Sequence, residues 1–83
     1  MNFYRMKDDE LKYLYNHIGS LVKFHRERLG KSQFSFGLEV GKSANQIGRI
    51  ERAESNPTVE TLYEIAKYIK IDVKDFFNMK KDV

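Results

Sequence analysis

Between Ser32 and Glu51 the chain reads SQFSFGLEVGKSANQIGRIE, two short helical patterns on either side of a glycine, and this segment constrains the fold most tightly. Ser32 precedes a helix whose apolar positions Phe36 and Val40 fall four apart, on one face. Gly41 then supplies the left-handed backbone position that ends this helix without steric cost. Ser43-Ala44-Asn45-Gln46 reads as a capping box, in which the serine oxygen accepts one orphan N–H and the glutamine reaches back to another. A second helix therefore restarts at Ser43. Ile47 and Ile50 form its inward stripe, leaving Ala44, Asn45, Gly48, Arg49 and Arg52 facing outward or along the borders.

The remaining chain extends this pattern into an all-α fold of five helices without strands. Leu11, Tyr15, Ile18, Val22, His25 and Leu29 alternate at spacings of four and three, predicting a first helix from about Asp8 to Leu29. Asp8, Asp9 and Glu10 then sit at its positive N-terminal end. Pro57 holds Asn56 extended, and Thr58 caps a fourth helix with Leu62, Ile65, Ala66 and Ile69 inward and Tyr63 and Tyr68 at its edges. Asp72 and Asp75 open a last short helix carrying Phe76 and Phe77. The aromatic set Phe3, Tyr4, Tyr13, Tyr15, Phe24, Phe34 and Phe36 reads as core, not as a stacking platform for single strands. A chain of 83 residues buries only about 60% of its unfolded surface, so one core must serve the whole domain, residues 1–83. Within it, residues 1–16 extend helix one, 17–77 form the core domain and 78–83 a tail.

Composition removes several function classes. With 41% apolar and 33% charged residues, the chain is neither disordered nor membrane-embedded. No apolar run approaches the ~18 residues of a membrane span. The absence of cysteine excludes disulfides and thiolate metal sites, and MNFYRMKDDE lacks the apolar centre of a secretory signal, which points to the cytoplasm. His17 and His25, eight apart, do not fit the i, i+4 geometry of a metal pair. No nucleophile–base pair, metal cluster or phosphate loop is visible, so no enzyme activity, metal or other cofactor is expected, and no small-molecule ligand is evident. The net charge of +3 is concentrated: residues 23–54 hold seven basic against four acidic side chains, whereas the flanking parts balance to zero. A phosphate-facing surface produces such a concentration.

Taken together, Ser32-Gln33, the small Gly37, Gly41, Ser43, the Ile47/Ile50 pair with Glu51, and Asn56-Pro57-Thr58 followed by TLYEIAKYIKI resemble the lambda-repressor-like (Cro/repressor, XRE) helix-turn-helix domains. The resemblance runs from about Ile18 to Phe77. It implies a compact five-helix bundle with a central helix-turn-helix, here with an extended N-terminal helix. The chain departs from the family pattern at Lys42, usually apolar, at Ala53, usually glycine, at Gly48 inside a helix, and at His25, more often aliphatic. The resemblance also pairs Arg26 on helix one with Glu51 in a partly buried ion pair that tethers helix three, and makes Gln33 a phosphate-touching position.

On this reading the partner is double-stranded DNA. Asn45 and Gln46 carry amides able to bond adenine, Arg49 can reach guanine O6 and N7, and Ala44 offers a methyl to thymine. For Gln46, capping and base reading compete for one amide. Lys31, Ser32, Gln33, Lys42, Ser43 and Arg52 are the phosphate-contacting set. Gly48 either allows close approach to DNA or is a tolerated imperfection. Family members reach useful affinity as two-fold dimers on half-sites about 34 Å apart, so a homodimer on a palindromic operator is expected. Tyr68, Ile71, Phe76, Phe77 and Met79 are its interface candidates; Phe3, Tyr4 and Leu11 offer another interface or a lid on the core. The expected function is transcriptional regulation, by default repression through occlusion. Restriction–modification controller proteins, similar in size, show that activation occurs within the family. An antitoxin-like protein-interaction module on the same fold is the alternative.

Overall fold

A computed structural model describes residues 3–79, and the side chains of residues 9–79. Four α-helices and one 3-10 turn follow in order: α1 (Phe3–Arg28), α2 (Gln33–Val40), α3 (Ala44–Glu51), α4 (Val59–Ile69) and the turn Val73–Phe76. Among the described residues there is no strand. Three of the helices begin on a capping side chain. Ser32, Ser43 and Thr58 all hold extended backbone, and each side-chain oxygen accepts from the N–H three residues on.

The core forms where the stripes of the four helices meet. Ile18 and Val22 of α1, Phe36 and Val40 of α2, Ile47 and Ile50 of α3 and the predicted face of α4 are buried together. Here α3 packs against α2 and α1, while α4 closes on α2, on α1 and on the 3-10 turn. Among the described residues, no helix is long and apolar enough to cross a membrane.

Three expectations are corrected. First, α1 begins at Phe3 instead of Asp8, so its first turn holds no acidic residue. Its 26 residues span about 39 Å, longer than the 25 and 19 Å minor extents of the molecule. The predicted stripe is therefore covered only in its middle: Tyr15 and His25 are half-buried, and Leu11 and Leu29 are exposed. Second, the last element is a single 3-10 turn, not a fifth α-helix. Asp72 caps it, with Oδ1 accepting from Lys74 N at 2.9 Å. The His17 Nε2–H donates to the Asp75 carbonyl at 2.9 Å. One turn is enough to drive Phe76 into the core, fully buried, and Phe77 lies beyond it, exposed.

Third, the aromatic set is not all core. Phe36 is buried, but Tyr13, Phe24 and Phe34 are exposed, Phe34 by 64%. Helical periodicity explains this: on α2 the buried face holds Phe36, Gly37 and Val40, and position 34 pairs with the exposed Leu38 on the opposite side. The side chains of Phe3 and Tyr4, and the tail residues 80–83, lie outside the described residues.

Candidate nucleic-acid interface

The α2–turn–α3 unit is built by short-range bonds. Gly41 stands at φ 71° and ends α2, and Lys42 N donates to the Gly37 carbonyl at 2.8 Å, folding the turn back on the helix. That fold needs a bare Gly37, because a Cβ there would lie 2.3 Å from the Lys42 carbonyl oxygen. At the start of α3, Ser43 Oγ accepts from Gln46 N at 3.0 Å, and Ser43 N donates to Gln46 Oε1 at 2.9 Å. Both halves of the capping box are thus present. The competition foreseen at Gln46 goes to the cap in the free protein. Its oxygen is committed, and its NH2 group is the end left to offer a ligand.

With Ile47 and Ile50 buried beneath it, α3 turns Asn45, Gln46, Arg49 and Arg52 to solvent, and leaves Ala44 half-buried. Arg49 does not simply extend outward. Its Nη2 donates to the Glu54 carbonyl at 2.8 Å, and Arg52 Nε lies 3.2 Å from Glu54 Oε1, so both guanidiniums bend toward the chain leaving α3. That exit uses a left-handed Ala53 at φ 60°, where the family more often has glycine. Lys42, Gln46 and Arg49 line an open cleft of about 420 Å³ together with Asn56, Pro57 and Thr58. Lys31 stands 4.0 Å from Glu39, and Ser32 is occupied in capping α2. Gly48, expected to face outward or lie along the border, is buried.

Arg26 and Glu51 meet as a two-pronged ion pair. Arg26 Nε donates to Glu51 Oε2 at 2.6 Å and Nη2 to Oε1 at 3.0 Å, while Nη1 donates to the Lys31 carbonyl at 2.8 Å. Their side chains are 12% and 3% exposed. The bond to Glu51 holds the Arg26 pKa above its ordinary value, against the opposing pull of burial. A third partner joins: Gln33 Nε2 donates to Glu51 Oε1 at 3.1 Å, so one carboxylate ties α1, α2 and α3 together. Sequence reasoning did not foresee this bond. It also missed Gly19, where a Cβ would lie 2.5 and 2.6 Å from the carbonyl oxygens of Ile50 and Glu51. The available signal was a glycine in the interior of a long helical pattern, next to the stripe residue Ile18, where it costs about 1 kcal/mol relative to alanine.

The comparison with known proteins rests on this same region. A family profile described as helix-turn-helix matches residues 22–76, which include every element of the cluster except Gly19. The chain belongs to the lambda-repressor-like helix-turn-helix family. This helix-turn-helix chain is 27% identical over 62 residues to the "HTH-type transcriptional regulator SlrR" of Bacillus subtilis (strain 168), an alignment covering 74% of this chain and 41% of that protein. It is 31% identical over 62 residues to the "Uncharacterized transcriptional regulator in ATPase CF(0) region" of Rhodospirillum rubrum, covering 75% of this chain and 57% of that protein. The match thus spans about half the length of these relatives. No solved structure gives a significant match.

In the helix-turn-helix chain the interface candidates are mostly drawn into the fold. Tyr68 is half-buried with its ring edge-on to Phe36, centroids 5.7 Å apart, and Ile71 packs against the core. Phe76 is fully buried, which removes it from any exposed interface; the capped 3-10 turn aims it inward. Met79 is half-buried, and Phe77 is exposed.

Proposed function

We propose that this chain is a sequence-specific regulator of transcription that binds double-stranded DNA and reads the major groove with α3. One observation carries the reading: α3 is anchored by Ile47 and Ile50 while Asn45, Gln46 and Arg49 stand in solvent on its other side, within the stretch that holds the whole net positive charge. A helix of this kind fits the major groove, with amide and guanidinium groups toward base edges and Lys31, Ser32, Gln33, Lys42, Ser43 and Arg52 toward phosphates. The printed names of the relatives, both transcriptional regulators, support the same reading. It acts as a repressor by occupying promoter sequence, as a homodimer on a palindromic operator with half-sites about 34 Å apart.

Selection of bound duplexes from a random pool tests this. The expected result is a palindromic site, and Arg49→Ala relaxes preference at one position per half by about 1–3 kcal/mol. Rising salt weakens binding steeply as released counterions lose their contribution. Failure to enrich any sequence refutes the reading. The alternative, a protein-interaction module of antitoxin type, draws on Phe34 and Leu38, 64% and 66% exposed and one turn apart on α2. A stable heterocomplex without sequence preference for DNA is the outcome that favours it.

A further inference from the structure

Gly48 lies beneath two side chains that converge from different elements. A Cβ at this position would stand 2.9 Å from Arg52 Nη1, and 3.2 and 3.4 Å from Oε1 and Nε2 of Gln33. The amide from the start of α2 and the guanidinium from the end of α3 therefore rest on the same bare patch of helix. We propose that Gly48 is a positioning residue for nucleic acid: its missing side chain lets Gln33 and Arg52 lie together as a joint pair of donors for one backbone phosphate of DNA.

The orientation of both groups supports this use. A carboxylate only accepts hydrogen bonds, so Gln33 must turn its NH2 end to Glu51 Oε1, which Arg26 already holds in place. One N–H of that amide is then spent on Glu51, and the second is free to donate to a phosphate oxygen. Arg52 is held on its other side by Glu54, 3.2 Å from its Nε, which keeps the Nη1 end over Gly48. A cation and an amide N–H converging on one spot suit a phosphate oxygen, which accepts from both.

The three nearest atoms that an alanine at position 48 meets are ends of side chains from Gln33 and Arg52, so it displaces them and spares the fold. Alanine is also the better helix former, so the melting temperature of Gly48→Ala stays at or above that of wild type. This inference rests on the DNA-binding reading, and its test separates the two. A labelled duplex of random sequence is titrated at low salt with wild type, Gly48→Ala, Gln33→Ala/Arg52→Ala and the triple variant. Gly48→Ala should weaken binding about tenfold, by the same factor on unrelated duplexes, and should add nothing in the Gln33→Ala/Arg52→Ala background. Wild-type affinity in Gly48→Ala, an undiminished loss in the triple variant, or a clear fall in melting temperature each overturns the inference alone. Absence of wild-type binding to any duplex overturns the proposed function and this inference with it.

Discussion

Replacing Glu51 by alanine tests the connection that holds the three N-terminal helices together. The carboxylate accepts from Arg26 Nε, Arg26 Nη2 and Gln33 Nε2. Its side chain is 3% exposed, so water cannot replace it without disturbing the packing around it. Its removal leaves the Arg26 guanidinium 12% exposed with the Lys31 carbonyl as its remaining partner. Stranding a buried charge in this way costs about 3–5 kcal/mol. A domain of this length has about 4–12 kcal/mol of stability in total, so the loss is a large share of it. Urea unfolding followed by far-UV circular dichroism should show a much lower midpoint with an unchanged slope, and the melting temperature should fall by at least about 12 °C. The double variant Arg26→Met/Glu51→Leu, which strands no charge, should regain most of the loss. A cost for Glu51→Ala below about 1 kcal/mol, or a double variant no better than the single, refutes the reasoning. The surface pairs Lys31–Glu39, with Lys31 half-buried, and Arg52–Glu54 serve as controls, each contributing about 0–1 kcal/mol.

Three further outcomes are expected. Gly19→Ala places a Cβ 2.5 Å from the Ile50 carbonyl oxygen, backbone that cannot swing aside, so α1 must move off α3 at a cost of about 1–3 kcal/mol in the urea midpoint despite the better helix propensity. Ala53→Gly and Lys70→Gly each relieve a left-handed residue, at φ 60° and 64°, and should each raise stability by about 1 kcal/mol, read as higher melting temperatures. Burial and the nearby Arg28 hold the His25 pKa below its ordinary 6.5, against the opposing Asp75. The unfolded chain therefore takes up that proton first, so the contribution is complete above pH 6.5 and is lost as pH falls through the folded value. Unfolding curves across this range should show the slope in wild type and a flatter one in His25→Gln.

Sequence reading reached what short-range bonding decides. Ser32, Gly41, Ser43 and Thr58 sit where a helix must start or stop, and their bonds span three or four residues, so residue type and spacing are enough. It also reached the buried face of α4 from period alone. It failed where distant parts of the chain decide. The α1 pattern continues through Leu11 and Leu29, but cover for it exists only where α3, α4 and the final turn reach. Asp72 and Asp75 signal a helical start equally well for one 3-10 turn as for an α-helix; the demand that Phe76 fill the core selects the shorter form. Within the candidate site, the outward set on α3 follows from its period, whereas the burial of Gly48 depends on side chains arriving from positions 33 and 52.

An isolated helix of eight residues does not persist in water, because too few hydrogen bonds follow the costly first turn. The stability of α3 is therefore supplied from outside, and at both of its ends. The capping box closes the N-terminus with two bonds at 2.9 and 3.0 Å. At the C-terminus Glu51 is bound to α1 and α2, while the bare Gly19 lets α1 come close enough to touch the final carbonyls. Ala53 accepts an unfavourable backbone angle to bring Glu54 N to the Arg49 carbonyl at 2.8 Å. A helix fixed in this manner is already ordered before it meets a ligand, so little of the interaction energy is spent on ordering it. The ordering cost is met in folding, by contacts that lie behind α3 and leave its outward side chains uncommitted to the core.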